Sequence, residues 1–354
     1  MIRKKLKYDD TKLRILIMVL TWLLLDLSCV ASANAQQITD MFGRIFLIPD
    51  RPQKVYSTSP PVTNLLYAID PEMLTGINFP VQKIQKKYLN KIMQELPVLG
   101  GWFGQANTPN IEMILKTKPD IIVIFKHNAA MSSIVDDTMR TIPIPVIYVT
   151  LNSLSDYPEA MLYLGKVLGR ETRAKKLAAY ARSTLAEISI LSRSIPQKQR
   201  VSVYYAEGID GLSTECDSSL HAELINLVGG RNVHRCLMRS LYGMEKVSME
   251  QVMLYNPEVI LAIEPAFYRS VFSDPRWKSI KAIKDKRVYL IPREPFNWFD
   301  RPPSFMRFLG AKWLANLLYP DHYKPDMIKE SQQFFRLFLG VDVSKNDMNQ
   351  IIYP

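Results

Sequence analysis

Two stretches of the chain carry the same order of polar and apolar positions. IEMILKTKPDIIVI (111–124) and MEQVMLYNPEVILA (249–262) each set an amphipathic segment before a proline and an unbroken apolar run. Glu112 and Glu250 lie 138 positions apart, and so do Pro119 and Pro257. In the first copy Thr108 or Asn107 can cap a helix, Pro109 suits its first turn, and Ile111, Ile114 and Leu115 form an apolar stripe. Pro119 ends that helix, and DIIVIF reads as a strand buried on both faces of a parallel sheet. In the second copy Ser248 caps, Glu250 falls in the first turn, Pro257 stops the helix and EVILAI is the strand. Matching strands follow at PVIYVT (145–150) and RVYLIP (287–292), and KVYST (54–58) and RVSVYYAE (200–207) open the two halves. Strand and helix alternate in both halves, which predicts an α/β protein of two Rossmann-like lobes with parallel sheets.

Between the halves, Ala174, Leu177, Ala178, Ala181, Leu185 and Ile188 repeat at helical spacing within 171–195. About 23 helical residues span roughly 35 Å, the width of a small domain. One stiff helix joining two lobes predicts a small hinge motion. The expected organisation is a leader at 1–35, a first lobe at 36–170, the joining helix at 171–195 and a second lobe at 196–354.

The leader rests on a basic start, MIRKKLKYDDTKLR, and an apolar run of 11 residues from Ile15 to Leu25. That run is too short to span a bilayer. Small residues at Ala33–Ala35 fit a signal-peptidase site, so an exported protein cleaved after Ala35 is expected. The remaining 319 residues suffice for two domains. They hold 39 basic and 31 acidic residues, a net +8, which fits a basic solvated surface or attraction to anionic ligands. No dense Lys/Arg tract with interleaved aromatics occurs, so nucleic acid is not an expected partner. Cys216 and Cys236 permit one disulfide in an oxidising compartment, although a helix at 218–228 would hold its two ends apart.

In open α/β folds ligands sit beyond the carboxyl ends of the strands, which here face each other across a cleft. Trp102 in LGGWFGQ, Tyr242 in SLYGME and Trp298 in FNWFDR are candidates for aromatic walls. His127 follows the strand DIIVIF, and His221 lies near the start of SSLHAELINLVGG. Either can ligate a metal or hydrogen-bond a chelate, but neither has the spacing of a dedicated metal site. Arg301 can meet an anionic siderophore or propionate, with Asp300 as its alternative partner, and Tyr205 ends its strand near the cleft. No nucleophile elbow, dinucleotide fingerprint or P-loop is present, so an enzyme is not expected.

PNIEMILKTKPDIIVI, SMEQVMLYNPEVILA, ELINLVGGRNV (223–233) and NWFDRPPSFMRFLGAKWLANLLYP (297–320), in this order and spacing, carry a resemblance. The chain resembles the substrate-binding proteins of ABC importers for iron–siderophores, haem and cobalamin, in which a rigid helix joins two lobes. The resemblance covers essentially the whole mature chain. It implies a ligand cleft between the lobes, and docking of one rim glutamate per lobe onto arginines of a permease dimer with its ATPase subunits. Glu112 and Glu250 stand at the matching positions. As first-turn carboxylates they also stabilise their helices by about 0.3–1 kcal/mol each. The expected ligand is a small metal chelate, ferric siderophore first, then haem or cobalamin, with nickel or molybdate behind. A periplasmic ligand sensor or an enzyme on the same fold is the alternative outside transport. A monomer without a resident cofactor is expected.

Overall fold

The computed structural model describes residues 35–102, 109–126, 137–238 and 243–353. The Thr108 and Asn107 capping positions, His127 and Tyr242 lie outside them. An antiparallel hairpin comes first, β1 (Ala35–Thr39) and β2 (Ile45–Pro49), with Gln37 opposite Leu47. Asp40 closes its turn by accepting from the backbone N–H groups of Phe42 and Arg44, both at 2.9 Å.

The apolar runs form the two expected sheets. The first has the order β3–β4–β5, made of Val55–Ser57, Ile121–Phe125 and Val146–Val149, all parallel. In the second, β6 (Ser202–Ala206) leads and a two-stranded antiparallel ribbon, β7 (Ser213–Thr214) with β9 (Glu245–Lys246), stands apart. The second sheet then adds β8 (Arg231–Asn232), β10 (Val259–Ala262) and β11 (Val288–Leu290) in the order β11–β10–β6–β8, again parallel. Its β6, β10 and β11 repeat the order of β3, β4 and β5, and β8 is an addition on the outer edge.

The twofold period of strand side chains divides each strand between two cores. Val55, Ile121, Val123, Ile147 and Val149 of the first sheet join Val203, Tyr205, Val259 and Leu261 of the second in one continuous cluster. Their neighbours point the other way. Tyr56, Ile122, Ile124 and Tyr148 build a cluster private to the first lobe, and Tyr204, Ala206, Ile260 and Ala262 one private to the second.

The joining helix runs from Glu171 to Ser194, 24 residues or roughly 36 Å. Ala174, Leu177, Ala178, Ala181 and Ile188 are buried as the pattern predicts, and all but Ala174 enter the shared core. Leu185 is only half-buried, and Thr184 and Leu191 complete the buried face. Lys312, from the helix Met306–Leu318, is buried and pairs with Glu187 of the joining helix and with Glu330, each at 3.0 Å. No helix among the described residues is long and apolar enough to cross a membrane.

One helix boundary is corrected, and the C-terminal segment, expected within the second lobe, also contacts the first. Tyr67 donates its hydroxyl to the Leu339 carbonyl at 2.9 Å, Lys87 pairs with Asp347 at 2.6 Å, and Arg173 donates to the carbonyls of both Ala68 and Leu337. The expected helix 218–228 is a 3-10 turn (Leu220–Ala222) followed by a short α-helix (Glu223–Leu227). After it the chain returns along β8, and the Asp217 N–H donates to the His234 carbonyl at 3.0 Å. The two cysteines therefore meet. Cys216 and Cys236 are joined by a disulfide, with Cα atoms 5.2 Å apart.

Candidate ligand cleft and the duplicated surface helices

A cavity of about 490 Å³ opens between the lobes. The first lobe contributes Thr63 and Asn64 from the helix Pro60–Ile69, which follows β3, and the stretch Ile77–Gln82. The second contributes His221, the residues after β10 (Ile263, Glu264), those after β11 (Arg293, Glu294, Phe296, Asn297) and Arg301. Three of these stretches follow the carboxyl ends of parallel strands, β3, β10 and β11, as open α/β folds require.

The first-lobe wall is neutral. Thr63 donates its hydroxyl to the Asn78 Oδ1 at 2.7 Å, and the Asn78 amide nitrogen donates to the carbonyls of Ser57 at 2.9 Å and Gly100 at 2.8 Å. Close by, the backbone of Gly101 passes so near Thr58 that a Cβ there would stand 2.2 Å from its carbonyl oxygen.

The second-lobe wall is ionic. Arg301 donates to Glu207 and to Glu215, and lies 3.7 Å from Asp300. All three carboxylates are fully buried. Arg301 has a φ of +56°, a region few side-chain-bearing residues occupy, and these charge-assisted contacts hold it there. Asp300 also faces His221, whose Nδ1 lies 2.7–2.8 Å from its two carboxylate oxygens. Ser219 donates its hydroxyl to Glu215 at 2.8 Å, and the Met244 N–H donates to it at 2.9 Å.

This crowding shifts the protonation equilibria. Burial pushes the Glu207 carboxyl up to about 8, against the opposing pull of Arg301. Burial alone would lower the His221 pKa, but the adjacent Asp300 carboxylate more than offsets it and holds it above its ordinary value.

His221 and Arg301 therefore line the cavity. Trp298 does not, which corrects the expectation of an aromatic wall there. It is fully buried, its indole N–H donates to the Glu294 carbonyl at 3.0 Å, and a Cβ at Gly310 would come within 1.8 Å of its carbonyl oxygen. Tyr205 is also core, its ring 4.8 Å from Phe299. Trp102 is half-buried against the cluster of Tyr56 and Ile114, outside the cavity lining. Among the described residues, the aromatic rings that line the cleft are Phe79 and Phe296, one from each lobe. Sequence gave a hint only for Phe296, which lies just beyond the strand RVYLIP.

The duplicated helices hold their glutamates on the surface. Ile111–Thr117 is capped by Asn110, whose side chain accepts from the Met113 N–H at 3.0 Å; Pro109 lies outside the helix, so the cap falls later than expected. Met249–Tyr255 is capped by Ser248, which accepts from the Gln251 N–H at 3.2 Å. Each helix ends in a left-handed residue, Lys118 and Asn256. Glu112 and Glu250 are exposed in the first turns, and an exposed apolar residue follows each three positions later, Leu115 and Met253.

The family model of the periplasmic binding proteins matches residues 55–295. A solved ABC transporter solute binding protein from Sulfurospirillum deleyianum is 42% identical, with a TM-score of 0.84, over 89% of this chain and 98% of that one. The molybdate-binding protein MolA of Haemophilus influenzae is 25% identical over 345 residues, 91% of this chain and 95% of its own. The high-affinity haem uptake system protein IsdE of Staphylococcus aureus is 24% identical over 205 residues, 54% of this chain and 66% of its own.

Proposed function

This chain belongs to the periplasmic binding protein family and is the solute-binding component of an ABC importer, and on that premise we propose that its cargo is a compact metal chelate of the ferric siderophore type, captured in the periplasm. The observation that carries this reading is the cavity of about 490 Å³ with one aromatic ring from each lobe and an ionic wall on one side. That volume lies within the range of about 300–1,000 Å³ typical of small-molecule pockets. Phe79 and Phe296 supply apolar faces for the organic part of the chelate. Arg293, which enters no ion pair among the described residues, supplies positive charge at the mouth. His221, oriented by Asp300, supplies an imidazole to the metal or to the chelate's oxygens.

A tetrahedral oxyanion such as molybdate is the second reading, favoured by the match to MolA along most of both chains. It asks for a smaller site and for amide and hydroxyl donors; the Asn64 amide lines the cavity and can supply one, whereas the donors of Thr63 and Asn78 are taken by Asn78, Ser57 and Gly100. Haem and cobalamin are alternatives within the chelate class. The relatives are binding proteins and not enzymes, and no turnover is proposed. Glu112 and Glu250, each with its apolar neighbour, are proposed to dock on the paired permease subunits.

Native mass spectrometry of the exported protein from its own cell envelope tests the cargo, followed by fluorescence titration with a ferric chelate, haem, cobalamin and molybdate. A retained iron chelate, or tightest binding of one, supports the first reading. Tight binding of molybdate with no response to any chelate overturns it.

A further inference from the structure

Away from the cleft, the second lobe brings three metal-binding side chains together. One ligand atom each from Cys216, His234 and Cys236 lies within 4.8 Å of the others. The His234 Nε2 is 3.1 Å from the Cys236 Sγ, and its Nδ1 is 2.8 Å from the Tyr255 hydroxyl. Two bonds fix the backbone that carries the ring: the His234 main-chain N–H donates to the Asn232 Oδ1 at 3.0 Å, and the His234 carbonyl accepts from the Asp217 N–H at 3.0 Å. Cys216 is fully buried, whereas His234 and Cys236 are half-buried and reach solvent.

A structural disulfide has no use for a histidine held this way, because a disulfide sulfur is a poor hydrogen-bond partner. An imidazole oriented at one nitrogen by a polar partner, with the other facing sulfur, is the arrangement of a metal-ligating histidine. Tetrahedral bonds of about 2.3 Å to sulfur and about 2.0–2.1 Å to nitrogen place ligand atoms roughly 3.5–3.8 Å apart. The nitrogen–sulfur pair at 3.1 Å is within a few tenths of an ångström of that.

We propose that the dithiol form of this protein binds one thiophilic d¹⁰ cation, Zn²⁺ or Cu⁺, through Cys216, Cys236 and His234. The disulfide and the metal site are then alternative states of the same three side chains. The conversion balances as thiol–disulfide exchange. A dithiol reductant attacks the more accessible Cys236 Sγ, Cys216 leaves as thiolate, and the reductant's second thiol releases Cys236 as its own disulfide closes. Two electrons and two protons pass to the protein. The cation then displaces both thiol protons, and two thiolates neutralise Zn²⁺, leaving the fourth position to water.

The full chain is titrated with Zn²⁺ by calorimetry, once in its disulfide form and once after reduction and anaerobic removal of the reductant. The reduced form is expected to bind one Zn²⁺ per chain and the disulfide form none at that site, with bound zinc shielding both thiols from alkylation. His234→Ala is expected to weaken binding at least tenfold, and Tyr255→Phe about tenfold, the scale of a lost orienting bond. Equal binding by both redox forms, equal binding by His234→Ala, or no stoichiometric binding overturns the proposal. If the reduced chain loses its fold, recovery of its circular dichroism on adding Zn²⁺ supports the site, and no recovery overturns it.

Discussion

The two lobes share a scaffold and differ in what they bring to the cleft. Each builds the same helix–strand unit, with a polar N-cap (Asn110, Ser248), a first-turn glutamate, a left-handed C-cap (Lys118, Asn256) and a buried central strand. At the cleft the likeness ends. The first lobe offers Thr63, Asn64 and Asn78, neutral groups that bond to one another and to backbone. The second offers Arg301 and His221 on three buried carboxylates. Duplication conserves what the backbone needs, and the residues after the strands are free to diverge because no strand geometry constrains them.

The strongest way to break this comparison is to remove the centre of the ionic wall. Arg301→Ala leaves Glu207, Glu215 and Asp300 buried without their shared cation, and a loss of about 3–5 kcal/mol is expected. Asn78→Ala on the neutral wall is expected to cost about 1–3 kcal/mol, the scale of unsatisfied buried polar groups. Urea unfolding of both variants checks the order, and equal losses would erase the distinction.

Proton release separates the walls next. Glu207 titrates near 8 in the folded chain against an ordinary 4.5, so the folded state keeps a proton that the unfolded state releases in this window. Stability therefore falls as pH rises from about 4.5 to 8, by on the order of a few kcal/mol. His221, raised above its ordinary 6.5, adds a loss of the same sign above that pH. Urea midpoints measured from pH 5 to pH 9 are expected to fall in the parent and to flatten in Glu207→Gln; parallel curves would contradict the assignment.

The aromatic contribution, by contrast, is expected to be shared. Phe79→Ala and Phe296→Ala should each weaken chelate binding by about 1–3 kcal/mol, the range for a central aromatic contact. Trp102→Ala, outside the cavity, should leave affinity unchanged. An effect at only one phenylalanine, read by fluorescence titration, would assign the ligand to one lobe.

The smallest effects concern the outer rim. Exposed ion pairs contribute about 0.2–1 kcal/mol each. Reversal at both Glu112→Lys and Glu250→Lys should therefore reduce ATPase stimulation in reconstituted transporter more than either change alone, with ligand affinity intact. Unchanged stimulation in the double variant would return both glutamates to helix stabilisation.

The sheet was legible because strands buried on both faces read as unbroken apolar runs, and Ile121–Phe125 and Val259–Ala262 stood out for that reason. The hairpin β1–β2 and the edge strand β8 were not, since short, partly exposed strands carry no such run. His221 and Arg301 were named as candidates and line the cleft. Their carboxylates were harder. Asp300 was foreseen as a partner of Arg301, but Glu207 and Glu215 reach it across 94 and 86 residues of sequence. Trp298 misled because a tryptophan after a strand serves a core or a cleft equally well, and the close approach at Gly310 decides for the core.

The shared core has a consequence for inheritance. Alternate side chains of both sheets and one face of the joining helix lie in a single apolar mass. Cut between the lobes, either half would carry a stripe of Val, Ile and Leu into water, so neither half can be exchanged as a module. Recombination at the joining helix is closed to this chain, and new specificity has to arise by substitution in the loops after the strands.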